Sequence, residues 1–353
     1  MGCFSLTNPS SFAVHAVLIG VQVIFGIGAV VGKLGLPKTN PVLFAFVREA
    51  SAGPILVLLA WYFERTLPRA NKASFRFFAT GLALFANQFC FIVGEKLANA
   101  VVGSAWQPTQ PIFTAAISIA IGYERGTWAK LIGILLAFGG ACFMVFYGAD
   151  TSGGGHKFVG NILFFFNCLG TSLYVIWSKP LLKQYPPMTV TGWSYITASV
   201  MMFLTVMIVN SSDGLIRFVC GDDAANCIAQ PWNVPSTTVL ALLYWIFFNS
   251  VLAYLMMTWG NKFAEPSKVL AYTAVQPTTS AILSAILISA GASGSLKEPG
   301  TNALGIIGII AGLAFIVYDN KQAAAREPLL ALEDDEEHGG KGGAREKLLH
   351  DQH

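Results

Sequence analysis

Gly94-Glu95-Lys96-Leu97-Ala98 leads through Trp106 to Gln110-Pro111, and Gly260-Asn261-Lys262-Phe263-Ala264 leads through Tyr272 to Gln276-Pro277. The two stretches stand 166 residues apart throughout. At that offset Gly94, Lys96, Ala98, Ala105, Gln110, Pro111, Ala115 and Ser118 each meet an identical residue, and Trp106 meets an aromatic. An internal repeat of this length fixes an architecture before any single element is assigned. Both copies lie in apolar runs long enough to cross a bilayer.

The composition agrees. Of 353 residues, 54 % are hydrophobic and 12 % charged, about half the charge of an ordinary soluble domain, and the mean hydropathy is +0.58. A net charge of +3, spread between apolar runs, argues against a nucleic-acid partner. A helix needs about 20 apolar residues to cross the hydrocarbon. Ten segments qualify: 12–32, 41–62, 74–93, 100–122, 128–147, 159–178, 188–209, 237–259, 267–290 and 301–319. Strand alternation is absent, so the spans are expected as helices. Lys and Arg between the spans divide ten to six between the two sides, and the richer side is cytoplasmic by the positive-inside rule. Both termini are then cytoplasmic, with the loop 210–236 outside or lumenal.

Further pairs extend the repeat. Lys33 and Pro41 match Lys179 and Pro187 at an offset of 146, and Gly133-Ile134, Gly140, Phe143 and Val145 match Gly305-Ile306, Gly312, Phe315 and Val317 at 172. Five spans per copy is an odd number, so the second copy enters the membrane from the opposite side. The expected fold class is an all-α integral membrane protein of ten transmembrane helices in two inverted five-helix repeats. Its parts are a short cytoplasmic N-terminus (1–11), the first repeat (12–147), a loop (148–158), the second repeat (159–319) and a disordered cytoplasmic tail (320–353). Such a molecule has two arrangements of similar energy, open to either face, which suits a carrier holding its solute between the repeats.

The Gly-x-Gly-Ala-Val-Val-Gly-Lys ending of the first span, Arg48 in the second, and Glu95-Lys96-Leu97 before a proline-bearing fourth span resemble the drug/metabolite transporter superfamily. The pattern is similar to its EamA-type members, specifically the plant nodulin-like, walls-are-thin related branch. The resemblance covers residues 12–320 and implies a carrier of small metabolites, such as amino acids, amines, nucleotide sugars or indole-like acids. Two departures stand out: the long 210–236 loop, and Ser194 where a repeat-symmetric arginine would lie. They imply an asymmetric site.

Pro108, Pro111 and Pro277 fall inside spans, where each removes a backbone donor and opens a hinge point. Freed carbonyls are tolerated in lipid only where protein or a wet cavity meets them. Gln107, Gln110 and Gln276 flank these breaks with amides that donate and accept. Arg48 lies about 10 Å inside the second span, where an ionised side chain costs at least ~2.5 kcal/mol. It either faces a cavity, where its planar fork suits a carboxylate, or snorkels to the outer surface. Glu49 is its neighbour but need not pair with it, since adjacent residues point to different helix faces. Trp106 and Tyr272 occupy matched positions and could stack on a flat solute or simply pack between helices. Arg48, Trp106, Gln107, Gln110, Tyr272 and Gln276 are therefore expected to line one solute cavity. Asn87, Gln88, Asn167 and Asn249 add polar groups at middle depth, each equally able to tie helix to helix.

Cys220 and Cys227 in the 210–236 loop are expected to form a disulfide; a metal site there with Asp222 and Asp223 is a weak alternative lacking a histidine. Gly291-Ala292-Ser293-Gly294 has the form of an intramembrane protease motif but no fixed histidine partner, so no enzyme, metal or cofactor is expected. The expected partners are a small-molecule substrate and the lipid bilayer. The Gly28-x-x-x-Gly32 and Gly308-x-x-x-Gly312 faces also allow a homodimer. Glu327-Pro328-Leu329-Leu330 resembles a dileucine sorting signal, which fits a plasma-membrane or vacuolar/endosomal location. Two other readings stand beside the metabolite carrier: a nucleotide-sugar or sugar-phosphate exchanger, which should need more than one buried cation, and a non-transporting scaffold acting through its tail.

Overall fold

The computed structural model describes residues 9–36, 39–68, 72–98, 100–124, 126–147 and 154–291, with scattered positions between 304 and 318, and all regular structure among them is helical. Helices α1 (Ser11–Gly35), α2 (Pro41–Phe63) and α3 (Lys72–Leu97) are unbroken. The next stretch is two pieces, α4 (Ala100–Trp106) and α5 (Gln110–Ala120), joined by a 3₁₀ turn at Gln107–Thr109. After α6 (Trp128–Tyr147), α7 (Gly154–Leu182) and α8 (Pro187–Asn210) come two short helices, α9 (Asp213–Cys220) and α10 (Ala224–Ala229). Then α11 (Ser236–Tyr244) passes through a π-helical segment, Trp245–Leu252, into α12 (Ala253–Phe263). A second 3₁₀ turn, Tyr272–Ala274, joins α13 (Pro266–Ala271) to α14 (Val275–Ser289).

Local chemistry sets where these helices start. Asn40 accepts from the backbone nitrogens of Val42 at 3.0 Å and Leu43 at 3.4 Å, and Pro41 fills the first helical position, where no donor is missed. Two other starts are capped from a distance. The carboxylate of Glu64 accepts from the nitrogens of Met188 and Thr189 at 2.9 and 2.7 Å, and that of Glu124 accepts from Ser267 at 2.9 Å. Each places a negative charge at the positive end of a helix and ties together segments far apart in the chain.

Among the described residues, seven stretches are long and apolar enough to cross a membrane: Ser11–Gly35, Pro41–Phe63, Ala73–Leu97, Phe158–Leu182, Pro187–Asn210, Ser236–Phe263 and Pro266–Ser289. They coincide with seven of the ten expected segments to within a few residues. The expected span 100–122 is interrupted at its prolines, and 128–147 forms α6. The segment 301–319, residues 1–8 and 148–153, the tail, and the Ala292-Ser293-Gly294 part of the protease-like motif lie wholly or mostly outside the described residues.

The protein is an integral membrane protein, apolar outside and polar within. Leu58, Leu135, Leu204, Leu240, Phe247 and Ile282 are exposed, whereas Gln22, Arg48, Asn87, Gln107, Asn167 and Gln276 are buried. In hydrocarbon, polar side chains are retained only where they turn inward to partners or water. Helix α2 packs on α8, α3 on α7 and α8, and α1 on α12 and α14. The α3–α7 seam closes because Gly170 has no side chain: a Cβ there would stand 2.7 Å from the backbone nitrogen of Asn87.

The stretch 210–236, expected as a long loop, is a folded cap. Ile216, Val219, Cys220 and Cys227 are buried, and Cys220 and Cys227 are disulfide-bonded with Cα atoms 6.7 Å apart. Lys96 ties the cap down, donating to the carbonyl of Leu36 at 2.9 Å and pairing with Asp223 at 2.6 Å.

Candidate functional site

A central cavity of about 50 Å³ lies where α1, α2, α3, α7, the π-helical segment, α12 and both 3₁₀ breaks converge. Half of its lining residues are amides, Gln22, Asn87, Gln88, Gln107, Gln110, Asn167, Asn249 and Gln276, with Arg48 as the one charged residue and Phe25, Phe91, Trp245 and Tyr254 as the aromatic face. The volume suffices for a few waters, at ~10–15 Å³ each.

The breaks place these amides. At the first, Gln107 donates to the carbonyl of Gly103 at 2.9 Å and to Asn167 Oδ1 at 3.1 Å, and Gln110 donates to Gln107 Oε1. Other carbonyls along it accept from side chains of α7, Trp106 from Cys168 and Gln110 from Ser172. Protein groups thus meet the polar backbone that prolines expose in lipid. At the second break, Gln276 donates across to Gln22 Oε1 of α1 at 2.6 Å. Asn167 donates to the carbonyl of Asn87 at 2.9 Å, and Tyr254 donates to Asn87 Oδ1 at 2.8 Å.

Of the six residues expected to share one cavity, Arg48, Gln107, Gln110 and Gln276 do. Trp106 and Tyr272 do not. The indole of Trp106 donates to Asn161 Oδ1 at 2.9 Å, and the hydroxyl of Tyr272 is hydrogen-bonded to His15 Nδ1. These two bonds join matched positions, because His15 and Asn161 stand 146 residues apart as Trp106 and Tyr272 stand 166 apart. Pro108, Pro111 and Pro277 are buried at or beside the breaks.

Arg48 does not snorkel. It is 2 % exposed, its guanidinium carbon lies 4.9 Å from the Trp245 ring, and its Nη2 pairs with Glu49 Oε1 at 3.3 Å. The pairing was not expected of sequence neighbours. It forms because both long side chains bend toward the same interior, where an unpaired charge would cost more than the bend. A further carboxylate, Glu95, belongs to this group. The third span was expected to end at 93, with Glu95 in a loop; α3 instead runs to Leu97, and Glu95 is 1 % exposed. Gly28 and Gly32 of α1 make room for the cluster. A Cβ on Gly32 would stand 3.1 Å from both Glu95 oxygens, and one on Gly28 only 2.4 Å from Asn249 Oδ1. Several buried polar atoms here have no hydrogen-bond partner among the described residues: Arg48 Nε, Glu49 Oε2, both amide atoms of Gln88, Asn249 Oδ1 and both Glu95 oxygens.

Sequence reasoning missed Glu95, Gln22, Trp245 and Tyr254. The signals for Glu95 were its place in the repeated motif and in the Glu95-Lys96-Leu97 stretch before the fourth span. Trp245 and Asn249 are presented by the π-helical segment, which widens one turn, as such segments often do at functional sites.

A helical membrane protein with broken helices meeting at a buried polar cavity belongs to the carrier class in its construction. The model of the EamA-like transporter family matches the chain twice, over residues 13–146 and 158–318, and the chain belongs to that family. It is 24 % identical to the uncharacterized transporter YetK of Bacillus subtilis, over 87 % of this chain and 88 % of that one. It is 25 % identical to a WAT1-related protein of Arabidopsis thaliana over 76 % and 75 %, and 23 % identical to Protein WALLS ARE THIN 1 of the same plant over 94 % and 90 %. A protein of known crystal structure shares the fold with a TM-score of 0.58 at 17 % identity, over 86 % of this chain and 96 % of that one.

Proposed function

We propose that the protein is a secondary carrier that moves a small carboxylate-bearing metabolite, an amino acid or an aromatic organic acid, by alternating access between two inverted five-helix repeats. The observation that carries this is the set of orphaned polar atoms around Arg48 at the wall of an amide-lined, aromatic-faced cavity. Buried polar groups in native proteins are nearly always satisfied, so a site with several unmet donors and acceptors is built for a polar solute. Arg48 takes the carboxylate, the amides take further polar groups, and Phe25, Phe91, Trp245 and Tyr254 take an apolar or aromatic body. Glu49 tempers the positive charge, which favours a single carboxylate over a phosphate and counts against the nucleotide-sugar exchanger.

Two features support the inverted-repeat reading: the double family match, and the equivalent Trp106–Asn161 and Tyr272–His15 bonds. The cavity is far below the ~300 Å³ lower bound for small-molecule pockets, so solute entry requires the helices to part, with Pro108, Pro111 and Pro277 as hinge points. Membership of a transporter family favours transport rather than catalysis. We place both termini in the cytoplasm, in the plasma membrane or a vacuolar/endosomal membrane. Uptake into proteoliposomes of radiolabelled amino acids, aromatic acids and nucleotide sugars tests the reading. Amino or aromatic acids are expected to enter and nucleotide sugars to be excluded; uptake of none of them, with the fold intact, rejects it.

A further inference from the structure

Glu95 is buried within the membrane-spanning length of α3, and neither of its carboxylate oxygens has a hydrogen-bond partner among the described residues. A Cβ on Gly32 of α1 would stand 3.1 Å from both Glu95 oxygens and from the Trp245 ring, so the carboxylate lies against the bare backbone of α1. The cations that act on it are Lys33 of α1 and Arg48 of α2, and neither forms an ion pair with it; Arg48 is engaged by Glu49 and Trp245. Lys96, next along its own helix, turns away to Leu36 and Asp223. The π-helical segment offers Trp245 and Asn249 but no charge. His156 of α7, Arg217 of α9 and Asp222 beyond it are exposed. The buried cluster therefore sets two carboxylates against one guanidinium, with Lys33 only partly buried at its edge. A carboxylate so placed is sustained by a counter-charge or by a proton.

We propose that Glu95 is a proton-binding site and that the carrier takes up one proton with each solute carboxylate. The inference rests on the carrier reading above. A solute carboxylate on Arg48 brings a third negative group to a single buried guanidinium, and protonation of Glu95 restores the balance. The proton comes from water on the face to which the cavity is open, is held on a Glu95 carboxylate oxygen, and returns to water on the other face when the solute leaves. Solute binding and protonation must strengthen each other by the same factor. The repeat-matched position in the second half is Asn261, whose amide nitrogen donates to the Val175 carbonyl and to Ser178 Oγ. An amide carries no acid proton, so the repeat supplies no second site of this kind, and Glu49, the other carboxylate of the cluster, is held by Arg48.

Two experiments on the full chain in liposomes decide this. The first needs no solute. Infrared difference spectra between acid and alkaline pH are expected to contain a protonated-carboxyl band that disappears in Glu95→Gln. If that variant fails to fold, Glu95→Asp should shift the band. The absence of any carboxyl band assignable to Glu95, or a band that responds to sodium and not to pH, overturns the proposal. The second uses radiolabelled phenylalanine and phenylacetate. An inward acid gradient should drive accumulation of whichever is carried, up to about tenfold per pH unit, the limit for one proton per solute. Glu95→Gln should lose that accumulation, so that its remaining uptake no longer responds to the pH gradient. Accumulation intact in Glu95→Gln also overturns it. If neither solute nor any other enters, the carrier reading fails by itself, and the infrared result still reports whether Glu95 binds a proton.

Discussion

Arg48, Glu49 and Glu95 are buried in the first half of the molecule, and the positions paired with them by the repeat, Ser194, Tyr195 and Asn261, are buried as deeply without a charge. Ser194 is settled, its hydroxyl bonded to the Val190 carbonyl at 2.8 Å and to Thr80 at 2.9 Å. Tyr195 Oη and Asn261 Oδ1 lack a hydrogen-bond partner among the described residues, but both are neutral, whereas the first-half residues leave carboxylate and guanidinium atoms unmatched. The helix breaks behave in the opposite way. Both are 3₁₀ turns beside a Gln-Pro pair, both turn their glutamines to the cavity, and both send an aromatic outward to matched partners at 15 and 161. The breaks thus occur in two like copies, while the buried ionic groups are kept in one. A solute with one charged end needs that arrangement, because a symmetric pair of arginines would hold it in two orientations.

The largest expected effect comes from removing the asymmetry. Arg48→Gln leaves Glu49 buried without its partner, a loss of about 3–5 kcal/mol, and should abolish uptake. Arg48→Gln combined with Glu49→Gln should recover most of the stability, because the pair leaves together, and recover none of the transport. Thermal melting in detergent and proteoliposome uptake separate the two quantities. A double variant that still transports would show that the charges serve only the fold.

Glu124 offers a second contrast. It receives Ser267 N, Ser267 Oγ and Lys130 Nζ, clasping the end of α5 to the start of α13. At the repeat-matched end of α14 stands Ala290. Glu124→Gln keeps the shape but weakens charged hydrogen bonds, each worth about 1.5–3 kcal/mol. The midpoint of unfolding should fall accordingly, while Ala290→Gln leaves it unchanged. Equal effects at both ends would mean the clasp contributes nothing.

Much of this frame is legible in the sequence because lipid imposes it. A run of about 20 apolar residues can satisfy its backbone there only as a helix, so seven spans fall where their hydropathy puts them, and Pro108 and Pro111 announce a break. The site is less legible. Glu95 and Lys96 together look like a loop, and only the folded cap shows why they are not: Lys96 reaches out to Asp223, leaving Glu95 to face inward. The π-helical turn at 245–252 has no composition of its own, since it results from packing around Trp245, whose indole donates to the Gly28 carbonyl at 3.0 Å. Trp106 and Tyr272 occupy matched positions in the sequence, but a matched position does not say which way a ring points.

Among the described residues the disulfide belongs to the second half alone, where the cap of α9 and α10 replaces the short link between α2 and α3. Cys220→Ser with Cys227→Ser should cost on the order of 2 kcal/mol by loop entropy. Reductant should lower the melting temperature of the wild type to that of the variant and leave the variant unmoved.

The smallest effect is the one that tests likeness rather than difference. Trp106→Phe and Tyr272→Phe each delete one hydrogen bond, to Asn161 and to His15, and keep an aromatic ring in place. Interhelical bonds of this kind average about 0.6 kcal/mol, so each variant should lose roughly that much and lose it equally. Because neither ring lines the cavity, the solute concentration at half-maximal uptake should be unchanged while the turnover rate shifts in both. The two bonds sit at the outer sides of the two breaks, where parting of the helices would have to strain them alternately. Loss of apparent affinity in either variant would instead place that aromatic against the solute, as its matched position in the sequence suggests.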